Sequence, residues 1–235
     1  MRKQHKFILV FCLQIIILAA CSSTPNSLGI VDDTEKEWEK SLSSLLPQDP
    51  VPNEIKLEDG DYVVANIATV RDGDTLTISN IDTSFIKNVT TQKAIEDEIN
   101  SSDNATLGVR LISIDTPEIT NGKNELFGTE AKEAVERLVY NGEVYLEIDP
   151  KALFDNYDRL IAHAYTTEGI SIQKTLLSNG LARTAYLYDD YKYINEYQLA
   201  EEQAKTKKQN IYSIDGYVKE EESGGFDMSV SPGGY

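Results

Sequence analysis

The fold is decided by one stretch of the chain, Val109-Arg110-Leu111-Ile112-Ser113-Ile114-Asp115-Thr116-Pro117-Glu118. Its apolar residues predict a β-strand. The proline fixes its own φ angle and biases the threonine before it to an extended conformation, so the strand ends in a stiff corner. One rigid element therefore carries a cation, Arg110, followed by two carboxylates, Asp115 and Glu118. The alternative is that Arg110 and Asp115 are solvated and that Asp-Thr-Pro is an ordinary turn.

The composition is that of a globular protein, with 235 residues, 40% of them hydrophobic and 26% charged. This length predicts one domain with tails. The formal net charge is −17, and it becomes −20 once the three basic residues of segment 1–20 are removed. This charge argues against a general basic surface for nucleic acid, so an anionic substrate has to be held by local cations.

The N-terminus has the pattern of an export signal. Basic residues between positions 2 and 6 precede the apolar run Phe7–Leu18, which is shorter than the roughly 20 residues needed to span a bilayer. We expect residues 1–20 to be a signal peptide that is removed. The run ends in Leu18-Ala19-Ala20-Cys21, which resembles a bacterial lipobox, so Cys21 is expected to carry a lipid anchor. A simple secretory cleavage site is the alternative.

The remaining cysteine, Cys12, lies inside the signal, so no disulfide is expected in the mature chain. Residues 21–60 are rich in Ser, Thr, Pro and acids, which predicts a flexible tether above the membrane. Residues 214–235 end in Ser-Pro-Gly-Gly-Tyr and are expected to be a disordered tail. The globular domain should span 61–213.

The domain begins with a β pattern. Tyr62–Val70 predicts a strand, Arg71–Asp74 a turn, and Thr75–Ile78 a second strand, which together form a hairpin. Residues 79–108 are polar and predict an insertion at a hairpin tip, with room for a helical piece around 91–99. The stretch Val109–Glu118 then supplies the third strand.

The residues after Val109–Glu118 have the periodicity of a helix. Apolar residues recur at helical spacing at Ala131, Ala134, Val135, Leu138 and Val139. Thr129 is placed to cap the start of this helix, and Asn141-Gly142 to end it. A one-sided apolar pattern predicts a helix lying on a sheet.

Two further strands and two further helices complete the domain. They are strands Val144–Ile148 and Leu160–Tyr165, a helix capped by Ser171 that stops at Asn179-Gly180, and a helix over Ile194–Lys208. This element order predicts an α+β fold, a five-stranded OB-fold-like Greek-key barrel with three packed helices.

The region from about Asp61 to Ser213 resembles the staphylococcal nuclease (thermonuclease) family, calcium-dependent secreted nucleases built on an OB-fold barrel. Any one of its motifs is weak evidence, but four occur in the family's order. They are Val70-Arg71-Asp72-Gly73-Asp74-Thr75, Val109-Arg110 through Pro117-Glu118, Asp155-Asn156-Tyr157-Asp158-Arg159, and Asn179-Gly180-Leu181-Ala182-Arg183 followed by Tyr186 and Tyr188.

The resemblance implies a calcium site. Asp74, Asp115 and the carbonyl of Thr116 match the family's metal ligands, and Asp72 matches an acid beside them that does not itself bind the ion. Two carboxylates and a carbonyl suit a hard cation that prefers oxygen, and so few protein ligands leave positions for water and a phosphate oxygen.

The resemblance also implies the catalytic groups. Arg110 and Arg159 match two arginines that grip the phosphate, since guanidinium groups stay charged and offer paired donors. Glu118 matches the residue that takes a proton from the attacking water or orients that water. In an ideal strand Arg110 and Asp115 point to opposite faces, so curvature or a bulge has to bring them together.

Three tyrosines match residues that contact phosphate and stack on a base, namely Tyr157, Tyr186 and Tyr188. Stacking suits single-stranded or frayed substrate because it tolerates any base. Packing in the core or at the rim is the alternative reading of these tyrosines. His163 lies among apolar strand residues and is expected to be a packed histidine.

The chain departs from the family's pattern beside Arg159. Asn156 stands where the family often has lysine, and Asp158 where it has glycine. Aspartate can adopt the left-handed turn geometry, but it places a negative charge beside a phosphate-binding arginine. Insertion 79–108 is also longer than the family's usual connection.

These residues predict a monomeric, Ca²⁺-dependent nuclease that hydrolyses DNA and RNA with little sequence specificity. Its expected location is the outer side of the cell membrane, through a lipid at Cys21, with some release to the medium. One alternative is a nucleic-acid-binding surface lipoprotein with the same barrel and weak catalysis. Another is an acidic adhesin or solute-binding lipoprotein, although the domain is small for a two-lobed binder.

The lipobox predicts the outcome of one substitution. Cys21→Ala removes the thiol that accepts the lipid, so the protein should move from the membrane fraction to the medium or stay unprocessed. Cell fractionation with N-terminal sequencing measures this. A variant that is processed and still bound to the membrane would show that Cys21 is not the anchor.

Overall fold

The computed structural model describes residues 59–102, 104–120, 122–188, 191–219 and 225–230, together with Ser44. The expected signal peptide, the expected lipidation site Cys21 and almost all of the expected tether lie outside these residues. In the described part of the chain, none of the helices is long and apolar enough to cross a membrane.

Five strands close into a barrel in the order β1-β2-β3-β6-β5. Their bounds are β1 Tyr62–Val70, β2 Thr75–Asp82, β3 Leu107–Leu111, β5 Glu143–Ile148 and β6 Leu160–Tyr165. The neighbouring strands are antiparallel except β3 and β6, which run parallel. The predicted five-stranded OB-fold-like barrel is confirmed.

The stretch Val109–Glu118 contributes to two strands, although the sequence predicted one. Strand β3 ends at Leu111, and β4, Ile114–Asp115, leaves the barrel to pair with β7, Arg183–Thr184. The chain breaks at Ser113, whose φ of 64° is left-handed, a conformation that is uncommon for residues other than glycine. This break is the distortion that Arg110 and Asp115 require.

Four helices occur among the described residues, one more than the three predicted. They are α1 Val89–Ser101, α2 Gly128–Leu138, α3 Ile172–Ser178 and α4 Ile194–Lys207. The oxygen of Ser171 caps α3 by accepting from the amide of Lys174 at 3.3 Å, as predicted. Thr129 does not cap α2, because the helix already begins at Gly128. The residue before it, Phe127, has a left-handed conformation and makes no side-chain capping hydrogen bond.

One apolar core fills the barrel and the space beneath the helices. The apolar positions predicted for α2 are all buried, and Leu76, Leu111, Leu146 and Leu160 are fully buried inside the barrel. His163 is also fully buried, and its Nδ1 lies 2.7 Å from the hydroxyl of Tyr197. The packed histidine is therefore confirmed.

The insertion contributes to the core. The sequence predicted a polar insertion at a hairpin tip, a peripheral-loop interpretation that this packing corrects. Strand β2 continues to Asp82, so the inserted residues begin later than position 79. Helix α1 is capped by Asn88, which accepts from the amides of Thr90 and Thr91. Ile86 and Ile95 are 5% and 0% exposed and belong to the main core. A polar average composition concealed these two apolar contacts.

The tail is also packed where it is described, which corrects the expected disorder. Tyr217 is fully buried and Phe226 is 8% exposed, and the two rings lie 5.3 Å apart. Val218 and Phe226 form an antiparallel bridge. The buried side chains of Ile211, Tyr217 and Phe226 form a second small core.

The packing of α1 predicts a stability effect. Ile95→Ala deletes fully buried methylene and methyl groups, so the free energy of unfolding should fall by about 2–5 kcal/mol. Val89→Ala is the matched control in the same helix, because Val89 is 76% exposed, and it should change stability by less than about 0.5 kcal/mol. Chemical denaturation measures both. Equal, small effects would restore the peripheral-loop interpretation.

Candidate active site

A cleft of about 870 Å³ opens where the β1–β2 turn, the end of β3, strand β4 and the loop before α2 meet. It is lined by every metal-binding, catalytic and substrate-binding residue predicted from the sequence except Tyr188, namely Asp72, Asp74, Arg110, Asp115, Thr116, Glu118, Tyr157, Arg159 and Tyr186. Tyr188 is 55% exposed and packs edge-on against Tyr191, with ring centroids 5.1 Å apart. It is therefore the one residue of this predicted set that the fold leaves outside the cleft.

The β1–β2 turn places Asp74 at the floor of the cleft. Asp72 Oδ1 accepts the amide of Asp74 at 3.1 Å, which closes the turn. Asp74 is 3% exposed, and its Oδ2 accepts the amide of Thr116 at 3.0 Å. The turn can approach Thr116 because residue 73 is glycine. A Cβ at Gly73 would lie 2.8 Å from both Thr116 Cγ2 and Ala131 Cβ.

Arg110 joins the two metal-ligand candidates. Its guanidinium contacts Asp74 Oδ1, lies 3.7 Å from Asp115 Oδ1, and donates to the carbonyl of Ile114 at 3.0 Å. Burial lowers the pKa of Arg110, while Asp115 acts in the opposite direction. The group still stays charged, because an arginine pKa lies far above neutral pH.

Arg183 holds Asp115 from the other side, a contact that the sequence reasoning missed. Strands β4 and β7 pair Asp115 with Arg183 directly, and Arg183 Nε donates to Asp115 Oδ2 at 3.1 Å. Arg183 is 3% exposed. It lies in the motif that predicted the family, but only the pairing of β4 with β7 reveals its partner.

Glu118 is fixed by its own loop. The amide of Thr120 donates to Glu118 Oε1 at 2.8 Å, and the Thr120 hydroxyl also donates to that oxygen. The amide of Glu118 donates to Glu125 Oε2 at 2.7 Å. Burial favours the neutral form of Glu118, but the Thr120 hydrogen bonds and the charge of Lys123 outweigh it and lower the pKa. Glu118 is therefore an ionised carboxylate at neutral pH.

Asp155 orients Arg159. Its Oδ2 accepts from Arg159 Nε at 2.7 Å, and its Oδ1 accepts the amides of Tyr157 and Arg159. Arg159 also donates to the Thr75 hydroxyl at 3.3 Å, and its guanidinium lies 5.5 Å from the ring centroid of Tyr157. Asp155 and Arg159 both lie in the sequence motif, but only the folded turn shows that Asp155 holds the guanidinium of Arg159 in place.

The charge of the cleft is nearly balanced but slightly negative. Five carboxylates and four cations line it, namely Asp72, Asp74, Asp115, Glu118 and Glu125 against Arg71, Arg110, Lys123 and Arg159. Burial and the nearby charge of Glu118 raise the pKa of Asp72. Acids crowded in this way repel a phosphate unless further positive charge joins them.

The donor set fits a hard cation. The oxygens of Asp74 and Asp115 lie on either side of Arg110, and the hydroxyl oxygen of Thr116 is buried without a hydrogen-bond partner in the described part of the chain. All of these donors are oxygens, which suits calcium better than a soft metal. No group of three or more His, Cys, Asp or Glu side chains arranged to hold a metal occurs among the described residues. A bound cation would therefore need other ligands, such as main-chain carbonyls, water or substrate.

Comparisons with known proteins identify a family and several relatives to which this chain is similar. Residues 108–214 match the family "Staphylococcal nuclease homologue". The chain is 42% identical over 113 residues to "Endonuclease YncB" of Bacillus subtilis (strain 168), which covers 47% of this chain and 53% of that protein. It is 35% identical over 107 residues to "Thermonuclease" of Staphylococcus hyicus, covering 45% of this chain and 62% of that one.

The barrel and the cleft define a nuclease-like OB-fold domain. The staphylococcal nuclease family that the sequence motifs predicted is the family that residues 108–214 match. The chain spans 53% and 62% of the length of these two relatives.

The turn before Arg159 predicts the effect of a charge change. Asp158 has a φ of 58°, so it adopts the left-handed geometry anticipated for this position. Asp158→Gly keeps that geometry without strain and removes a negative charge beside Arg159. The affinity for a short oligonucleotide should rise about 2- to 10-fold at low salt, and the gain should shrink as salt is added. Asp158→Asn is the isosteric control, and an unchanged affinity in both variants would contradict the electrostatic reading.

Proposed function

We propose that this protein is a calcium-dependent nuclease that hydrolyses phosphodiester bonds of DNA and RNA with little sequence preference. The observation that carries the proposal is the convergence of Arg110, Arg159 and Glu118 with two further carboxylates, Asp74 and Asp115, in one cleft. A binding module has no need for an ionised, clamped glutamate beside paired arginines. The names of the matched relatives, endonuclease and thermonuclease, support the same class of reaction.

The metal is assigned to the acidic floor of the cleft. Asp74 and Asp115 would hold a calcium ion together with the Thr116 carbonyl, and Asp72 would orient Asp74 through the turn. A bound cation supplies the positive charge that the cleft lacks and polarises a phosphate oxygen.

The chain's own residues supply the remaining chemistry. Arg110 and Arg159 present guanidinium donors to the phosphate, where negative charge grows as water attacks. Glu118 accepts the proton of the attacking water or orients that water. The clamp from Asp155 holds Arg159 in position before substrate arrives, so less conformational entropy is lost on binding.

The rim of the cleft accounts for the lack of sequence preference. Tyr157 is 80% exposed and Tyr186 is 46% exposed, so both rings are available for stacking on bases. Stacking favours single-stranded or frayed substrate and does not distinguish the bases. Lipidation at Cys21 would hold the enzyme on the outer face of the cell membrane, where the tether 21–60 would give it reach.

The proposal predicts how calcium and two substitutions change cleavage. A chelator should abolish both binding and cleavage of a fluorescent oligonucleotide, because the cleft then lacks its cation.

Glu118→Gln keeps the shape of the side chain but loses the proton acceptor, so it should preserve affinity and lower the rate by about 10²- to 10⁴-fold. Arg159→Lys keeps the positive charge but loses the paired donors of the guanidinium group, so the rate should fall more than the affinity.

Matched controls are available on two helices outside the cleft lining. Glu202→Gln in α4 and Arg137→Lys in α2 make the same chemical changes away from the cleft and should leave the rate unchanged. Binding is measured by anisotropy at the same salt concentration. Wild-type protein that binds with calcium but never cleaves would favour the binding-module alternative. Cleavage that persists in chelator would refute the calcium assignment.

A further inference from the structure

The C-terminal segment, residues 216–219 and 225–230, lies beyond the region that matches the nuclease family, which ends at residue 214. It nevertheless packs into the domain rather than away from it. Tyr217 is fully buried beside Phe127, with ring centroids 6.2 Å apart. The amide of Lys219 donates to the carbonyl of Gly225, and the amide of Asp227 donates to the carbonyl of Tyr217. The segment therefore forms a short antiparallel pair of its own.

The first contact of this segment reaches the loop that carries Glu118. The Tyr217 hydroxyl donates to the carbonyl of Leu126 at 2.7 Å. The preceding residue, Glu125, is joined to Glu118 twice. Its amide donates to the Glu118 carbonyl at 3.0 Å, and its carboxylate accepts the Glu118 amide at 2.7 Å. Tyr217 thus anchors one end of a closed loop whose other end carries the proposed proton acceptor.

The second contact reaches a proposed metal ligand. The carbonyl of Lys219 accepts from Arg183 Nη1 at 3.3 Å, and the same guanidinium donates through Nε to Asp115. The C-terminal segment therefore helps to orient the arginine that orients Asp115. Gly225 and Phe226 complete the contact by lining the cleft itself.

We propose that the C-terminal segment is a positioning element of the active cleft, which fixes the Glu118 loop through Tyr217 and Asp115 through Lys219 and Arg183. The proposal rests on the nuclease function proposed above. Because catalytic groups must be held close to their productive geometry, loss of these contacts lowers turnover more than substrate binding. The segment does not touch the reacting atoms through Tyr217 or Lys219, so its effect is exerted through Glu118 and Asp115.

Two variants of the full chain test the proposal. Tyr217→Phe keeps the buried ring and removes only the hydroxyl that holds Leu126. It should lower kcat about 10-fold and leave KM within about 2-fold, since displacement of a catalytic group by a fraction of an ångström has effects of this size. A stop codon after Asp215 removes both contacts and should lower kcat about 100-fold. Tyr165→Phe is the control, because its hydroxyl donates to Glu147 at 3.1 Å on the barrel, outside the cleft lining.

Amide hydrogen exchange provides a readout that is independent of cleavage. In Tyr217→Phe the amides of Glu118 and Glu125 should exchange about 10-fold faster, while the amides of β1 and β6 remain unchanged. Thermal unfolding of each variant separates local loosening from global destabilisation. If the wild-type chain proves not to be a nuclease, the exchange result still decides whether the segment fixes this loop.

Three outcomes would overturn the proposal. Unchanged kcat and unchanged exchange in Tyr217→Phe would mean that the hydroxyl contact does not position the loop. An equal loss of kcat in Tyr165→Phe would mean that the effect is general destabilisation. Full activity in a folded truncated chain would show that the family domain is complete without the segment.

Discussion

The break in the chain at Ser113 is the constraint on which the cleft depends. Up to Leu111 the backbone belongs to the barrel, where β3 is fixed between β2 and β6. After the left-handed residue it belongs to the β4–β7 pair, which is fixed to α4 by the hydrogen bonds that Thr184 donates to Glu201. Arg110 and Asp115 therefore come from two different sheets. Their proximity is maintained by packing on both sides rather than by a flexible loop.

Charge is the second constraint, because the protein is acidic and the proposed substrate is a polyanion. The cleft holds its cations next to carboxylates, so each arginine has a fixed orientation but the cleft has no net positive charge. Arg110 is shared by Asp74 and Asp115, and Arg159 is clamped by Asp155. Under the proposed function, a divalent cation bound at Asp74 and Asp115 would reverse this balance, and substrate binding would then be conditional on the metal.

The sequence was sufficient for elements whose signal is local. The alternating strands, the apolar side of α2 and the Ser171 cap were read directly from residue spacing. The break at Ser113 was not, because Leu-Ile-Ser-Ile is compatible with a continuous strand. Ile95 and Tyr217 were missed for another reason, since each lies in a segment whose average composition is polar, and only tertiary packing buries it.

The site shows the same division. Residue types in family order predicted the groups that line the cleft, and the fold brings all of them together except Tyr188. The residues that hold these groups in place, Arg183, Asp155 and Tyr217, were not assigned such roles. Their partners are 68, 4 and 91 positions away in the chain, and a positioning role depends on the partner rather than on the residue type.

Calorimetric titration of calcium, with and without a non-cleavable phosphorothioate oligonucleotide, measures whether the cation and the oligonucleotide promote each other's binding. If the cation completes the anion site, each ligand must tighten binding of the other by the same factor, because linkage is reciprocal. We expect coupling of about 10-fold or more in the wild-type protein and its loss in Asp115→Asn. Calcium binding that is independent of the oligonucleotide, or coupling that survives in Asp115→Asn, would contradict the account.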